Sequence, residues 1–111
     1  MISDDFTWPG RLPDNPAHDL ITAYLVIDIQ KSPQWAEELL QKIGEVKSGR
    51  ISSWERTGNA YCLRLFPDRV EIEEDYAEES AEVVRISIDD FEAAVTAWYE
   101  SVKLDCQKKT N

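Results

Sequence analysis

Residues 60–74 read Ala60-Tyr61-Cys62-Leu63-Arg64-Leu65-Phe66-Pro67-Asp68-Arg69-Val70-Glu71-Ile72-Glu73-Glu74. Tyr61, Leu63 and Leu65 alternate with Cys62, Arg64 and Phe66, and beyond the Pro67-Asp68 pair Val70 and Ile72 alternate with Glu71 and Glu73. A period of two puts each set on one side of a strand, and Pro-Asp favours a turn, so the stretch predicts two antiparallel strands with one buried and one wet face. Outward from this hairpin the same reading continues. Residues 51–56 supply a strand before it, joined through the turn pair Gly58-Asn59, and residues 83–88 supply one after it.

Two amphipathic segments flank the strands. Ser32-Pro33 reads as a helix cap followed by proline at the first helical position, and Trp35, Leu39, Ile43 and Val46 then recur at helical spacing up to Gly49, which ends the helix. Gly44 inside this pattern weakens helix propensity, and close packing against a neighbour is the expected reason for it. Near the C-terminus, residues 87–90 offer a second cap, and Phe91, Val95, Trp98 and Val102 form one stripe. Residues 20–29 are apolar on both sides, the pattern of a central strand covered on two faces. The expected fold class is therefore α+β: a mainly antiparallel sheet of about five strands with two helices packed on it, in the order β-α-β-β-β-β-α.

The domain expectation is an extended arm over residues 1–19, a single domain over 20–104 and a polar tail over 105–111. Pro9, Gly10, Pro13 and Pro16 break regular structure in the arm, while Phe6 and Trp8 are large enough to pin it to the body. A chain of 111 residues can bury a core of its own without staples. Cys62 and Cys106 match no disulfide framework or zinc spacing, so both read as free thiols. The opening Met1-Ile2-Ser3-Asp4-Asp5 lacks the basic start and apolar core of a signal peptide, and the expected location is cytoplasmic.

Charge is the strongest functional signal. The net charge is −10, and residues 71–105 hold 12 acids against 2 bases. Glu71, Glu73, Glu74, Asp75, Glu78, Glu79 and Glu82 crowd into one tract, with Tyr76 among them. A surplus of this sign disfavours direct contact with nucleic acid and with anionic membrane surfaces. It favours a cationic protein partner, because clustered charge speeds encounter and an aromatic can supply a desolvated anchor. Tyr76 is open to two readings, a cation-receiving contact or one more residue of a solvated acidic loop.

Catalytic motifs are not evident. His18, the one histidine, falls in the proline-rich arm with no sign of a third group to hold it. Cys62 reads as a small buried residue, the four glycines form no phosphate loop, and the acidic tract lacks calcium-loop spacing. No catalytic residue, metal or cofactor is expected. Trp54, Trp98 and Tyr99 could make a stacking platform, but Trp98 belongs to the helix stripe and Trp54 to a strand, so core packing is preferred.

Ser53-Trp54-Glu55-Arg56-Thr57-Gly58-Asn59-Ala60-Tyr61-Cys62-Leu63, then Val70-Glu71-Ile72, then Asp90-Phe91 before a helix, resemble the YacL-like family of small acidic bacterial proteins. The resemblance spans roughly residues 35–103 and implies a bacterial cytosolic origin, with no established activity to carry over. More loosely, the size, charge and closing Ser87-Ile88-Asp89-Asp90-Phe91 layout are similar to immunity proteins of contact-dependent growth inhibition and related toxin systems. The leading expectation is an acidic protein-binding module, an immunity protein covering the basic groove of a cationic toxin such as a nuclease. In it the seven carboxylates steer and Tyr76 anchors. Alternatives are a YacL-like housekeeping protein and a nucleic-acid mimic, with an enzyme least favoured.

Overall fold

A computed structural model describes residues 8, 10–12, 15–58, 61–74 and 83–109. Helix α1 spans Pro16–Tyr24 and runs on as a π-helical turn, Leu25–Ile29; α2 spans Pro33–Lys47. Strands β1 (Trp54–Thr57), β2 (Tyr61–Leu65), β3 (Arg69–Glu74) and β4 (Val84–Ser87) follow, and α3 spans Ile88–Lys109. The strands form one antiparallel sheet in sequence order, β1-β2-β3-β4. The class is α+β, as expected.

The hairpin read from residues 60–74 is present over residues 61–74, with the alternate residues on the faces the pattern gave; Ala60 lies outside the described residues. Leu63 faces Ile72 and Leu65 faces Val70, while Val70 pairs onward with Ile86. These inward residues are buried, and Phe66 donates its N–H to the Arg69 carbonyl at 2.9 Å to close the Pro67-Asp68 turn. The opposite side of the sheet carries Glu55, Thr57, Cys62, Arg64, Glu71, Glu73 and Arg85. Helices cover one face and, among the described residues, the other is left polar.

Residues 20–29 are helical, which corrects the first strand and changes the order to α-α-β-β-β-β-α, with three helices and four strands among the described residues. The deciding signal lies just upstream. Asn15 Oδ1 accepts the N–H groups of Ala17 at 2.9 Å and His18 at 3.1 Å, and Pro16 occupies the first turn, so a helix is already under way before residue 20. His18, Ile21, Leu25 and Ile29 then make one buried stripe, which an apolar run on its own disguises as a two-sided strand. The arm is correspondingly shorter than expected, because residues 16–19 are helical. Trp8 does pin it, at 4% exposure; Phe6 lies outside the described residues.

α2 begins and ends where its sequence says. Ser32 Oγ accepts the Trp35 N–H at 3.3 Å, and at the other end Gly49 (φ +83°) lets Gly49 and Arg50 donate back to the Val46 and Glu45 carbonyls. Its buried face is Ala36, Leu39, Ile43 and Val46, so Trp35 is not on the apolar stripe. Gly44 faces open space, with no atom within 4 Å of where a Cβ would lie, and close packing does not account for it. α3 follows β4 without a loop: Ser87 Oγ accepts the N–H groups of Asp89 at 3.2 Å and Asp90 at 3.4 Å. The helix continues through Lys109, beyond the expected start of the tail.

Candidate functional site

The expected acidic surface is divided by the fold. Glu71 and Glu73 lie on the polar side of β3, where each meets arginine from within the sheet. Glu71 Oε2 accepts from Arg69 at 3.0 Å and lies 3.4 Å from Arg85, while Glu73 Oε1 accepts from Arg64 at 3.1 Å. Arg64 also reaches Glu55 at 3.0 Å, so Glu55, Arg64 and Glu73 form a chain across three strands. The hydrogen bond from Arg69 holds the Glu71 carboxyl below the usual carboxylate range despite the opposing effect of burial. These two acids are thus committed to their own sheet and are poor long-range attractants. Glu74 closes β3, and Asp75, Tyr76, Glu78, Glu79 and Glu82 lie outside the described residues.

A different constellation gathers where α2 meets β1. Trp35, in the first turns of α2, is 45% exposed. The Arg56 guanidinium lies over its ring, 3.3 Å from the centroid, and Arg56 Nη1 is 3.4 Å from Glu38 Oε1. Two recesses flank the ring. One, of about 430 Å³, is lined by Gln34, Trp35, Glu37, Glu38 and Gln41; the other, of about 370 Å³, includes Asp28, Gln30, Ser32, Trp35, Arg56 and Gly58. Sequence reading missed this site because it put Trp35 in the core, although the i, i+3, i+7 spacing of Ala36, Leu39 and Ile43 already forms a stripe without it.

The floor of the second recess is built by close contacts. Asp28 Oδ2 accepts the Tyr61 N–H at 3.1 Å, and a Cβ on Gly58 would come within 2.5 Å of that oxygen. Only glycine lets the β1–β2 turn approach the carboxylate. Gln30, the residue after the π-helical turn, holds φ 59° and ψ −153°, a region costly for any side chain. It is fixed from both sides: its N–H donates to the Leu25 carbonyl at 2.7 Å, and its carbonyl accepts the Trp98 indole N–H at 2.7 Å. Burial, reinforced by Asp28, pushes the Tyr24 phenol well above its ordinary range, so it stays protonated. Arg56, Gly58 and Tyr61, from β1 to the start of β2, therefore meet residues of the π-helical turn and α2 here.

Trp98 is core, as expected, at 2% exposure, and Trp54 packs partly buried against the same cluster. Tyr99 donates its hydroxyl to Glu37 at 3.1 Å and ties α3 to the α2 surface. His18 departs from its expected setting. It is buried at 4% exposure on α1, its Nδ1 accepts the Leu12 N–H at 3.0 Å, its Nε2 lies 3.5 Å from Asp90, and the Trp8 ring packs 5.5 Å away. The third group that sequence reading could not find is Asp90, distant in the chain and adjacent in space. Cys62 is buried, its thiol raised chiefly by desolvation, and it donates to Glu55 at 3.4 Å, the setting of a protonated thiol.

Among the described residues, no group of three potential metal ligands converges, and no helix is long and apolar enough to cross a membrane. No family model matches the chain, and no match was found among the curated proteins or the solved structures.

Proposed function

We propose that the chain is an acidic protein-binding module for a cationic protein, and in its narrower form an immunity protein that covers the basic groove of a bacterial toxin such as a nuclease. The observation that carries this reading is the segregation of charge. Glu55, Glu71 and Glu73 answer Arg64, Arg69 and Arg85 on the sheet, so the surplus of the −10 chain falls on other parts of it. The β3–β4 connection adds Asp75, Glu78, Glu79 and Glu82 after Glu74 with no base among them. An unbalanced segment between two strands of a balanced sheet acts as a local attractant for positive charge. A YacL-like housekeeping role fits the same surface, with a cytosolic cationic protein as the partner.

The test is retention of a purified cationic nuclease toxin on the immobilised chain at low and high salt. Binding is expected to weaken steeply with salt as screening shortens from about 10 Å at 0.1 M to about 3 Å at 1 M. Replacing Glu74, Asp75, Glu78, Glu79 and Glu82 by their amides is expected to slow association. Unchanged association after that replacement refutes the reading.

A further inference from the structure

We infer that His18 is a proton-operated clasp on the N-terminal arm: its neutral ring holds Trp8 and Leu12 against α1, and protonation loosens them. Among the described residues it is the one buried side chain that can gain a positive charge, at 4% exposure. Its two ring nitrogens are engaged by different parts of the chain. Nδ1 accepts the Leu12 N–H at 3.0 Å, so the neutral ring carries its proton on Nε2, which faces Asp90 Oδ2 of α3 at 3.5 Å. The buried Trp8 ring packs 5.5 Å from the imidazole, and between the two contacts the arm turns, with the Arg11 N–H donating to the Trp8 carbonyl at 3.1 Å. One imidazole thus meets the arm at both Trp8 and Leu12.

Protonation acts at Nδ1. The charged ring donates from both nitrogens, so the acceptor of the Leu12 N–H is lost and two donors are left facing each other. The sign follows from which groups leave with the arm. Asp90 favours the charged ring, but it belongs to α3 and faces His18 whether the arm is docked or not, so its attraction largely cancels between the two states. Asp19, on α1, is likewise part of the body. The arm itself brings the Leu12 N–H, the Arg11 guanidinium, which is paired with Asp19 at 2.8 Å, and burial from water, and each of these disfavours a cation on the ring. Other charges nearby are turned elsewhere: Asp89 and Glu92 of α3 to Lys47, and Arg85 of β4 to Glu71 on the polar side of the sheet. Docking is therefore strongest with the neutral ring and weakens as pH falls through the ordinary histidine range.

The experiment follows the full chain by nuclear magnetic resonance from about pH 8 to about pH 5.5, a window that spans histidine titration and stays above that of ordinary carboxylates. The Trp8 indole N–H, assigned by its loss in W8F, reports the arm; the Trp98 indole N–H, bonded to the Gln30 carbonyl, reports the core. Trypsin cleavage after Arg11, taken relative to a free peptide of residues 5–16 at the same pH, measures how often the arm opens. In the wild type the Trp8 and Leu12 signals should titrate together while Trp98 holds still, and relative cleavage should rise by up to about tenfold per pH unit below the histidine range. His18→Asn, which keeps an amide oxygen near the Nδ1 position and takes up no proton, should hold both readouts flat. Relative cleavage that does not change with pH, a Trp8 titration that persists in H18N, or Trp8 and Trp98 signals lost together overturns the clasp. If H18N does not fold, the wild-type comparison of Trp8 with Trp98 and the cleavage ratio still decide.

Discussion

The polar side of the sheet and the surface between α2 and β1 both carry arginine and glutamate, but they use them for different ends. On the sheet, Glu55, Arg64 and Glu73 alternate across neighbouring strands, and Arg69 and Arg85 converge on Glu71, so the charges neutralise one another in the plane. Around Trp35, the arginine serves packing between elements: Arg56 of β1 lies over the half-exposed ring and pairs with Glu38 of α2. A paired face gives solubility and register. A guanidinium stacked on a half-exposed ring instead ties a helix to a strand.

The sharpest way to break that contrast is at the floor of the second recess. Gly58→Ala drives a methyl into the Asp28 carboxylate, which can move only by giving up the Tyr61 N–H, and should cost about 1–3 kcal/mol in denaturant unfolding. Because the loss runs through Asp28, G58A should cost much less in a D28A background. Additive effects in that double-mutant cycle would place the origin elsewhere. The same substitution on the neighbouring helix has the opposite sign. Gly44→Ala meets no atom within 4 Å and should raise stability by about 0.5–1 kcal/mol through helix propensity alone, seen as a higher unfolding midpoint.

Glu71→Gln sharpens the other side of the comparison. The folded carboxyl is held below its ordinary value, first by Arg69, so ionisation contributes stability above the unfolded-state pKa. That contribution fades as pH falls through the carboxylate range to the lower folded value. The wild type should exceed E71Q by about 0.5–1 kcal/mol at neutral pH, and the gap should close in acid. A gap independent of pH would show that packing rather than the ion pair sets it.

How far these two surfaces could be read from the chain depends on the range of the contacts that make them. The sheet was legible because alternation in Tyr61–Leu65 and Arg69–Glu74, with Pro67-Asp68 between, is local information, and the caps at Ser32 and Ser87 are equally local. Residues 20–29 misled because a buried helix and a buried strand share an apolar run. The π-helical turn ending at Ile29 disturbs the 3.6-residue period further, and the cap that decides the matter, Asn15-Pro16, is hidden in a proline-rich arm. Trp35 was misplaced for the reverse reason. A tryptophan beside an apolar stripe looks like part of it until Arg56, twenty-one positions later, is seen lying over its ring. His18 likewise became a held residue only once Asp90 was brought beside it.

Trp35→Ala carries the smallest expected effect on stability and the most information. An ordinary core tryptophan loses about 3–5 kcal/mol on truncation, and Trp98, at 2% exposure with its indole bonded to Gln30, is of that kind. Trp35 is 45% exposed and its main neighbour is a charged side chain that Glu38 also holds, so W35A should shift the unfolding free energy by only about 0.5 kcal/mol. Far-UV dichroism and denaturant unfolding check this directly. A loss of several kcal/mol would make the ring a principal structural brace between α2 and β1. A nearly unchanged curve would make the stack a weak surface contact, comparable in worth to the exposed ion pairs of the sheet.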